Sequence, residues 1–174
     1  MKMKGMISLR KVTSENKRLF RRLFDYYCHD LACFYDDKED CKLTDSGTYK
    51  YRNFKIYYTH AGLKTFLIYS HENIVGFVVI SRPPYFSKDK KTSQVVQFFV
   101  LNGYRRGGIG TEVINRVFLK YPGKYAVSQL VRNKPAIAFW RSFYKKSRMK
   151  YTEKVETFET MCLRVQRFTV PKRK

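Results

Sequence analysis

Residues 105–110 (RRGGIG) carry the residue types best suited to binding a phosphate group. They follow an apolar, strand-like run, SQVVQFFVL, and precede a helical pattern, TEVINRVFLK. Glycine lets a backbone approach a phosphate closely, a helix N-terminus offers N–H donors, and arginine adds charge-assisted hydrogen bonds. The turn therefore predicts an anion site, with a purely conformational role for its glycines as the alternative.

Two well-known phosphate-binding motifs do not fit this turn. A dinucleotide-binding fingerprint needs a third glycine and an acidic residue about twenty positions later. Here Val113 takes the place of that glycine, and residues 130–139 contain no Asp or Glu. A P-loop needs Gly-Lys followed by Ser or Thr, whereas Thr111 follows Gly110 directly.

A second segment lies downstream, at residues 133–140 (NKPAIAFW). The turn matches Arg/Gln-x-x-Gly-x-Gly/Ala and resembles the pyrophosphate-binding motif of the GNAT superfamily of N-acetyltransferases. The downstream segment resembles the other half of that superfamily's cofactor site. Together with the segments YYCHDLACFYDD, GTYKY and VGFVVI, these two motifs make the chain similar to a bacterial branch of predicted acetyltransferases over roughly residues 20–153.

This resemblance implies that the chain binds acetyl-CoA, with coenzyme A as the product. It implies that Asn133 hydrogen-bonds the pantetheine arm, a role that can coexist with capping a helix. For Phe139 and Trp140, packing in the core is the alternative. The residues that the resemblance assigns to the cofactor are Phe99, Val100, Leu101, Arg105, Arg106, Gly107, Gly108, Ile109, Gly110, Thr111, Asn133, Ala136, Phe139 and Trp140.

The resemblance also implies direct attack by a primary amine on the thioester carbonyl, with an N–H near Val100 as the oxyanion donor. In the superfamily the fourth strand separates from the fifth to admit pantetheine. Trp140 stands where many relatives have a tyrosine that acts as general acid, and an indole cannot protonate a thiolate. Tyr144, one helical turn later, is the predicted substitute, with packing as its alternative.

The acceptor side of the site is predicted to include Asp30 and Gln97. The branch often has Glu at the position of Gln97, and an amide cannot act as a base. A base would therefore be water-mediated or come from Asp30 or Glu72. The segment HDLACFYDDKED contains Asp30, Asp36, Asp37, Glu39 and Asp40 and forms an acidic cluster that could attract a cationic amine. A solvated acidic segment is the alternative.

The net charge of the chain is +22, from 36 Lys and Arg against 14 Asp and Glu. Such a charge favours polyanionic partners through long-range steering, but the basic residues are scattered along the chain rather than grouped in blocks. Nucleic acid is therefore a possible partner that the pattern does not favour. The alternative function is a basic protein of acetyltransferase fold that either acts on RNA or ribosomal components or binds them without catalysis.

Four cysteines are present, and Cys28, Cys33 and Cys41 are spaced by five and eight positions. A zinc site favours pairs spaced as Cys-x-x-Cys. We therefore expect no metal and free thiols.

The hydrophobic periodicities predict one strand, one or two helices, two strands, then strand–helix–strand–helix followed by two closing strands. Helical spacing covers residues 15–35, 111–120 and 133–146, and "YTEKVETF" with "TMCLRVQRFTV" suggests an antiparallel pair. This order indicates an α/β (α+β) protein with a mixed sheet and helices on its faces. The resemblance implies the GNAT-like acyl-CoA N-acyltransferase fold, a mixed, mostly antiparallel sheet flanked by helices.

At 174 residues the chain is expected to form a single N-acetyltransferase domain, 1–174, with its cofactor-binding core at about 92–145. No apolar run is long enough to cross a membrane, and no signal-peptide pattern follows the basic start. We expect a cytoplasmic monomer or homodimer that transfers an acetyl group from acetyl-CoA to an amine-bearing acceptor.

Overall fold

The computed structural model describes residues 6–35, 42–51, 53–82 and 91–172. Asp36, Asp37, Glu39 and Asp40 of the predicted acidic cluster, and Cys41, lie outside these ranges. The strands are β1 (Ile7–Lys11), β2 (Leu63–Ser70), β3 (Asn73–Ser81), β4 (Thr92–Val100), β5 (Gly123–Leu130), β6 (Tyr151–Phe158) and β7 (Met161–Val170). The helices are α1 (Lys17–Ala32), α2 (Ile56–Thr59), α3 (Ile109–Lys120) and α4 (Lys134–Lys146).

The strands form one seven-stranded sheet in the order β1-β2-β3-β4-β5-β7-β6. Strands β4 and β5 are parallel, and the other neighbouring pairs are antiparallel. Helix α3 connects the two parallel strands, as a crossover between parallel neighbours requires. The predicted mixed, mostly antiparallel sheet with flanking helices is confirmed.

Two hydrophobic cores lie on opposite faces of the sheet, because successive side chains of a strand alternate between faces. One core packs the sheet against α1 and α2 and includes Phe20, Phe24, Tyr57, Leu67 and Phe77. The other packs it against α3 and α4 and includes Ile114, Val117, Phe118, Trp140 and Phe143. The helical residues in both sets recur at spacings of three or four, which places them on one side of each helix.

Two features of the fold escaped sequence analysis. Helix α2 has only four residues, too few for a periodic pattern, and β7 inserts between β5 and β6 although it follows β6 in the chain. In the described ranges, no helix is both long and apolar enough to cross a membrane. Cys28, Cys33 and Cys162 are free thiols.

A polar cluster joins α4 to the last two strands around Glu153 of β6. The Glu153 carboxylate accepts from Arg141 Nη2 at 2.5 Å, from Arg164 Nη1 at 3.0 Å and from Gln166 Nε2 at 2.7 Å. The hydrogen bond from Arg141 is the largest cause that lowers the pKa of Glu153, from 4.5 to about 2. The ionised carboxylate therefore stabilises the folded state.

Since the folded-state pKa of Glu153 is depressed, its stabilisation is present above pH 4.5 and is lost as the pH falls toward about 2. We predict that Glu153→Gln makes the free energy of unfolding less dependent on pH in this window. Urea denaturation between pH 2 and 5 measures it, with Glu159→Gln in the exposed β6–β7 turn as the control. An unchanged pH dependence in Glu153→Gln contradicts the prediction.

The approach of β3 to the end of β4 depends on Gly76. A Cβ at this position would lie 2.0 Å from the Phe99 carbonyl oxygen and 3.0 Å from Val100 Cα. Both contacts are with backbone atoms, which cannot rotate away, so any side chain here would displace the strand.

We predict that Gly76→Ala lowers the free energy of unfolding by about 1–3 kcal/mol or more, because the methyl group overpacks the strand pair. Gly103→Ala is the control, since its added Cβ would meet nothing within 4 Å. Urea denaturation of both variants makes the comparison. Equal stability of the two variants would show that β4 accommodates the methyl group.

Candidate functional site: a cleft between two parallel strands

The candidate site opens where β4 and β5 separate. Their pairing joins Thr92–Val95 to residues 124–127 and stops there, at Val95 and Val127. Strand β4 nevertheless continues to Val100 and β5 to Leu130. The carboxyl-terminal halves of two parallel strands therefore flank a cleft, the arrangement in which α/β proteins commonly bind ligands.

The backbone of β4 presents hydrogen-bonding groups to this cleft, one of which, the Val100 carbonyl, accepts from Arg105 Nε. The N–H of Leu101 donates to the Val75 carbonyl of β3 at 2.8 Å. Because the N–H and C=O groups of successive residues in a strand point to opposite sides, those of Val100 and Phe98 point away from β3, toward the cleft. The oxyanion donor that the resemblance implies, an N–H near Val100, stays a prediction.

A β-bulge decides where the side chain of Gln97 points. Val79 of β3 is opposite Gln97, whereas the next residue, Ile80, is opposite Val95, so Val96 is the extra residue. Val95 belongs to the α3–α4 core, while Val96 packs against the α1–α2 core. The bulge reverses the alternation, so that Gln97 faces α1 and α2.

Gln97 lies among tyrosines. The Tyr27 hydroxyl donates to Gln97 Oε1, Gln97 Nε2 donates to the Tyr57 hydroxyl at 3.3 Å, and the hydroxyls of Tyr57 and Tyr51 are 2.7 Å apart. Gln97, Tyr27 and Tyr51 also line a small cavity of about 60 Å³ beside α1. The predicted acceptor-side residue Gln97 therefore organises a tyrosine cluster, which sequence analysis did not detect.

Burial raises the pKa of the phenols in this cluster. Desolvation is the largest cause for Tyr27, Tyr51 and Tyr57 alike. At neutral pH the three side chains therefore keep their protons and can donate hydrogen bonds but cannot act as bases. Within the described ranges, no Asp or Glu lines this cavity.

The glycine turn supplies a cradle of N–H groups at the start of α3. Arg106 and Gly108 have positive φ angles of 65° and 90°, and Gly108 caps the helix. The first helical hydrogen bond runs from Glu112 N–H to the Gly108 carbonyl at 3.1 Å. The N–H groups of Ile109, Gly110 and Thr111 precede this bond and have no intrahelical partner, so they are available to an anion.

The three glycines of the turn have two different roles. A Cβ on Gly108 would meet nothing within 4 Å, and one on Gly107 would meet only the Tyr104 carbonyl oxygen, at 4.0 Å. A Cβ on Gly110 would lie 3.0 Å from Phe139 Cε2. Gly107 and Gly108 therefore leave space for a ligand, while Gly110 lets α3 pack closely against α4.

The two adjacent arginines of the turn also differ. Arg105 pairs with Asp30 of α1 through Nη2, and its Nε donates to the Val100 carbonyl oxygen at 2.7 Å. Arg106 is exposed, and no hydrogen bond or ion pair of its side chain occurs within the described part of the chain. Asp30, predicted to lie on the acceptor side, is thus paired with Arg105, predicted to bind the cofactor.

The start of α4 is closed to anions. Asn133 Oδ1 accepts from Ala136 N–H at 3.1 Å, Lys134 N–H donates to the Arg132 carbonyl at 2.8 Å, and Pro135 has no N–H. The predicted N-cap role of Asn133 is confirmed. The cap uses the Asn133 amide oxygen and the Ala136 N–H and does not use the Asn133 amide nitrogen.

Aromatic residues of α4 serve the core. Trp140 is 4% exposed and lies 6.4 Å from Phe98, measured between ring centroids. Phe139 is half-buried and contacts Phe98 at 5.7 Å. For Trp140 the structure favours the core-packing alternative over contact with a cofactor, whereas Phe139 lies between Gly110 and Phe98, beside the turn.

The structure contradicts the predicted role of Tyr144 as a general acid. Tyr144 is 1% exposed, its hydroxyl donates to Gln166 Oε1 at 3.2 Å, and its ring packs 4.3 Å from that of Tyr151. Burial also raises its pKa, so it holds its proton strongly. The helical spacing placed Tyr144 on the face of Trp140, but that face is turned toward the sheet.

Comparisons with known proteins agree with this geometry. A sequence model of the Acetyltransferase (GNAT) family matches residues 23–143, well over half of the chain. The seven-stranded sheet with its separated parallel strands is the acyl-CoA N-acyltransferase fold, and this chain belongs to the GNAT acetyltransferase family. No curated protein sequence matches it significantly.

Several solved structures share the fold. An acetyltransferase from Thermus thermophilus has a TM-score of 0.69 at 14% identity, covering 94% of this chain and 97% of its own. YncA from Salmonella typhimurium, solved with acetyl-CoA, has a TM-score of 0.63 at 9% identity, covering 96% and 95%. A dodecameric spermidine N-acetyltransferase from Vibrio cholerae has a TM-score of 0.58 at 14% identity, covering 94% and 93%. At these identities the similarity establishes the fold alone.

The different partners of the two arginines lead to a prediction. We predict that Arg106→Gln weakens coenzyme A binding about tenfold, because it removes a charged donor beside the N–H cradle. Arg105→Gln removes the same charge one residue away, and we expect a smaller effect on affinity but faster amide hydrogen exchange in α1. Calorimetry and hydrogen exchange provide the measurements. A larger loss of affinity in Arg105→Gln would show that its pairing with Asp30 does not limit its contact with the ligand.

Proposed function

We propose that this protein transfers an acetyl group from acetyl-CoA to a primary amine of an acceptor by direct attack. The observation that carries the proposal is the cleft between β4 and β5 with the N–H cradle of α3 at its end. The alternative, a basic RNA-binding protein of the same fold, has no comparable observation in its favour.

The residues present fit acetyl-CoA. The cradle of Ile109, Gly110 and Thr111 N–H groups suits a pyrophosphate, and the open space at Gly107 and Gly108 admits it. The outward N–H and C=O groups of Phe98 can pair with an amide of a pantetheine arm as a neighbouring strand would, whereas the Val100 carbonyl already accepts from Arg105 Nε. The Asn133 amide nitrogen provides a further donor across the cleft.

When bound, acetyl-CoA supplies an activated acetyl thioester. Val100 N–H would donate to the oxygen on which negative charge develops, and removal of one such donor typically reduces kcat by about 10²–10³-fold. The tyrosine cluster around Gln97 would form the wall of the acceptor side, where the Tyr27 side chain of α1 contacts Gln97 of β4. Its protonated phenols can orient an amine through hydrogen bonds, while proton removal from the amine is left to water. As the new C–N bond forms, the C–S bond of the thioester would break and the coenzyme A thiolate would leave and take a proton from water.

The acceptor is the open part of the proposal. Aromatic rings attract ammonium groups, and the cavity beside Gln97 is lined by Tyr27, Tyr35, Tyr49 and Tyr51, with Lys50 among its neighbours. Spermidine belongs in the first panel of amines, because similar folds include spermidine N-acetyltransferases. Lys50 disfavours a polycation, so monoamines belong in the panel as well.

We predict that coenzyme A binds to the wild-type protein and that Gly108→Trp weakens binding at least about tenfold, since the indole would fill the space beside the cradle. Gly123→Trp is the matched control. Gly123 is also a positive-φ glycine at which an added Cβ would meet nothing within 4 Å. It lies at the start of β5, whereas the cleft lies beside the end of that strand. Titration calorimetry gives the affinities.

Turnover is measured as thiol release from acetyl-CoA in the presence of each amine. Absence of coenzyme A binding to the wild-type protein would refute the proposal. Binding without release of thiol for any amine would instead indicate a cofactor-binding protein that has lost the transfer reaction.

A further inference from the structure

Gln129 on β5 is a buried polar residue without a partner. It is 7% exposed, and within the described part of the chain neither its Nε2 nor its Oε1 has a hydrogen-bond partner. Buried amides are almost always paired, so an unpaired one requires an explanation.

The position of Gln129 connects it with the cleft. The pairing of β5 with β4 ends at Val127, two residues earlier, and Gln129 remains paired only with Arg164 of β7 on the other side. Tyr125 and Val127 face the α3–α4 core. By strand alternation Gln129 faces the same side. It lies on the separated end of β5, and in the chain it shortly precedes the start of α4 at Lys134.

A second buried glutamine provides the contrast. Gln166 on β7 is 0% exposed, accepts from the Tyr144 hydroxyl at 3.2 Å and donates to Glu153 Oε2 at 2.7 Å. Both of its functional groups are satisfied within the protein. Gln129 has a similar degree of burial but no such partners, so structural need explains Gln166 and does not explain Gln129.

We propose that Gln129 binds an amide group of the pantetheine arm of coenzyme A. The inference rests on the function proposed above, but that function does not itself require Gln129. Gln129 offers one donor group and one acceptor group. A phosphate only accepts hydrogen bonds and would leave Oε1 unpaired, whereas a secondary amide both donates and accepts. Because both atoms are closed to solvent, contact requires a change of the Gln129 rotamer toward the cleft.

The experiment compares Gln129→Met with the wild type in two measurements. Methionine has similar length and no hydrogen-bonding amide, so we expect its free energy of unfolding without ligand to be equal or higher. Coenzyme A should bind about tenfold more weakly, equivalent to about 1.4 kcal/mol. Adenosine 3′,5′-bisphosphate, which carries phosphates but no pantetheine, should bind with unchanged affinity.

Gln166→Met is the matched control, expected to lower the free energy of unfolding and to leave the affinity of the folded protein for coenzyme A unchanged. Unchanged coenzyme A affinity in Gln129→Met would overturn the inference and indicate that a buried water satisfies the amide. Loss of stability or failure to fold, in both Gln129→Met and Gln129→Leu, would also overturn it, because the side chain would then be structural. If the wild type binds neither coenzyme A nor the bisphosphate, the proposed function itself fails.

Discussion

Backbone N–H and C=O groups inside a protein need hydrogen-bond partners, and the separation of β4 from β5 after Val95 leaves several of them facing a cleft. The rest of the site depends on this separation. The bulge at Val96 turns Gln97 toward α1, and Gly76 lets β3 follow β4 closely to its end. Strand β7 pairs with β5 along the full length of β5, so β5 keeps its position in the sheet after it separates from β4. Pairing of β4 with β3 and of β5 with β7 therefore fixes both strands that flank the cleft.

The large positive charge contributes less to this site than its size suggests. Arg105, the first residue of the glycine turn, is neutralised by Asp30 and bound to the Val100 carbonyl. In the proposed function, the attraction for an anion comes mainly from the N–H groups at the start of α3, whose orientation is set by the backbone. The pairing of Arg105 with Asp30 also links α1, beside the cavity at Gln97, to the end of β4 that flanks the cleft.

Gln129 and the polar residues of α4 and the last strands differ in whether their hydrogen-bonding groups are satisfied. Tyr144, Gln166, Glu153 and two arginines form one connected network between α4 and the last strands, which explains why Tyr144 is packed away from the cleft. Gln129 stands outside this network, on the part of β5 that has lost β4 as its neighbour. Interiors tolerate such a group only where something else compensates for it.

The sequence by itself determined what depends on neighbours along the chain: the strands and three longer helices, the glycine turn before α3, and Asn133 as the cap of α4. Periodicity and capping are local, so they can be read without a fold. Only the tertiary structure decided which side chains meet. Arg105 and Asp30 are 75 positions apart, and Tyr27 and Gln97 are 70 apart. Their contacts depend on strand register and on one extra residue at a bulge, and a shift of one residue in a strand reverses every side chain.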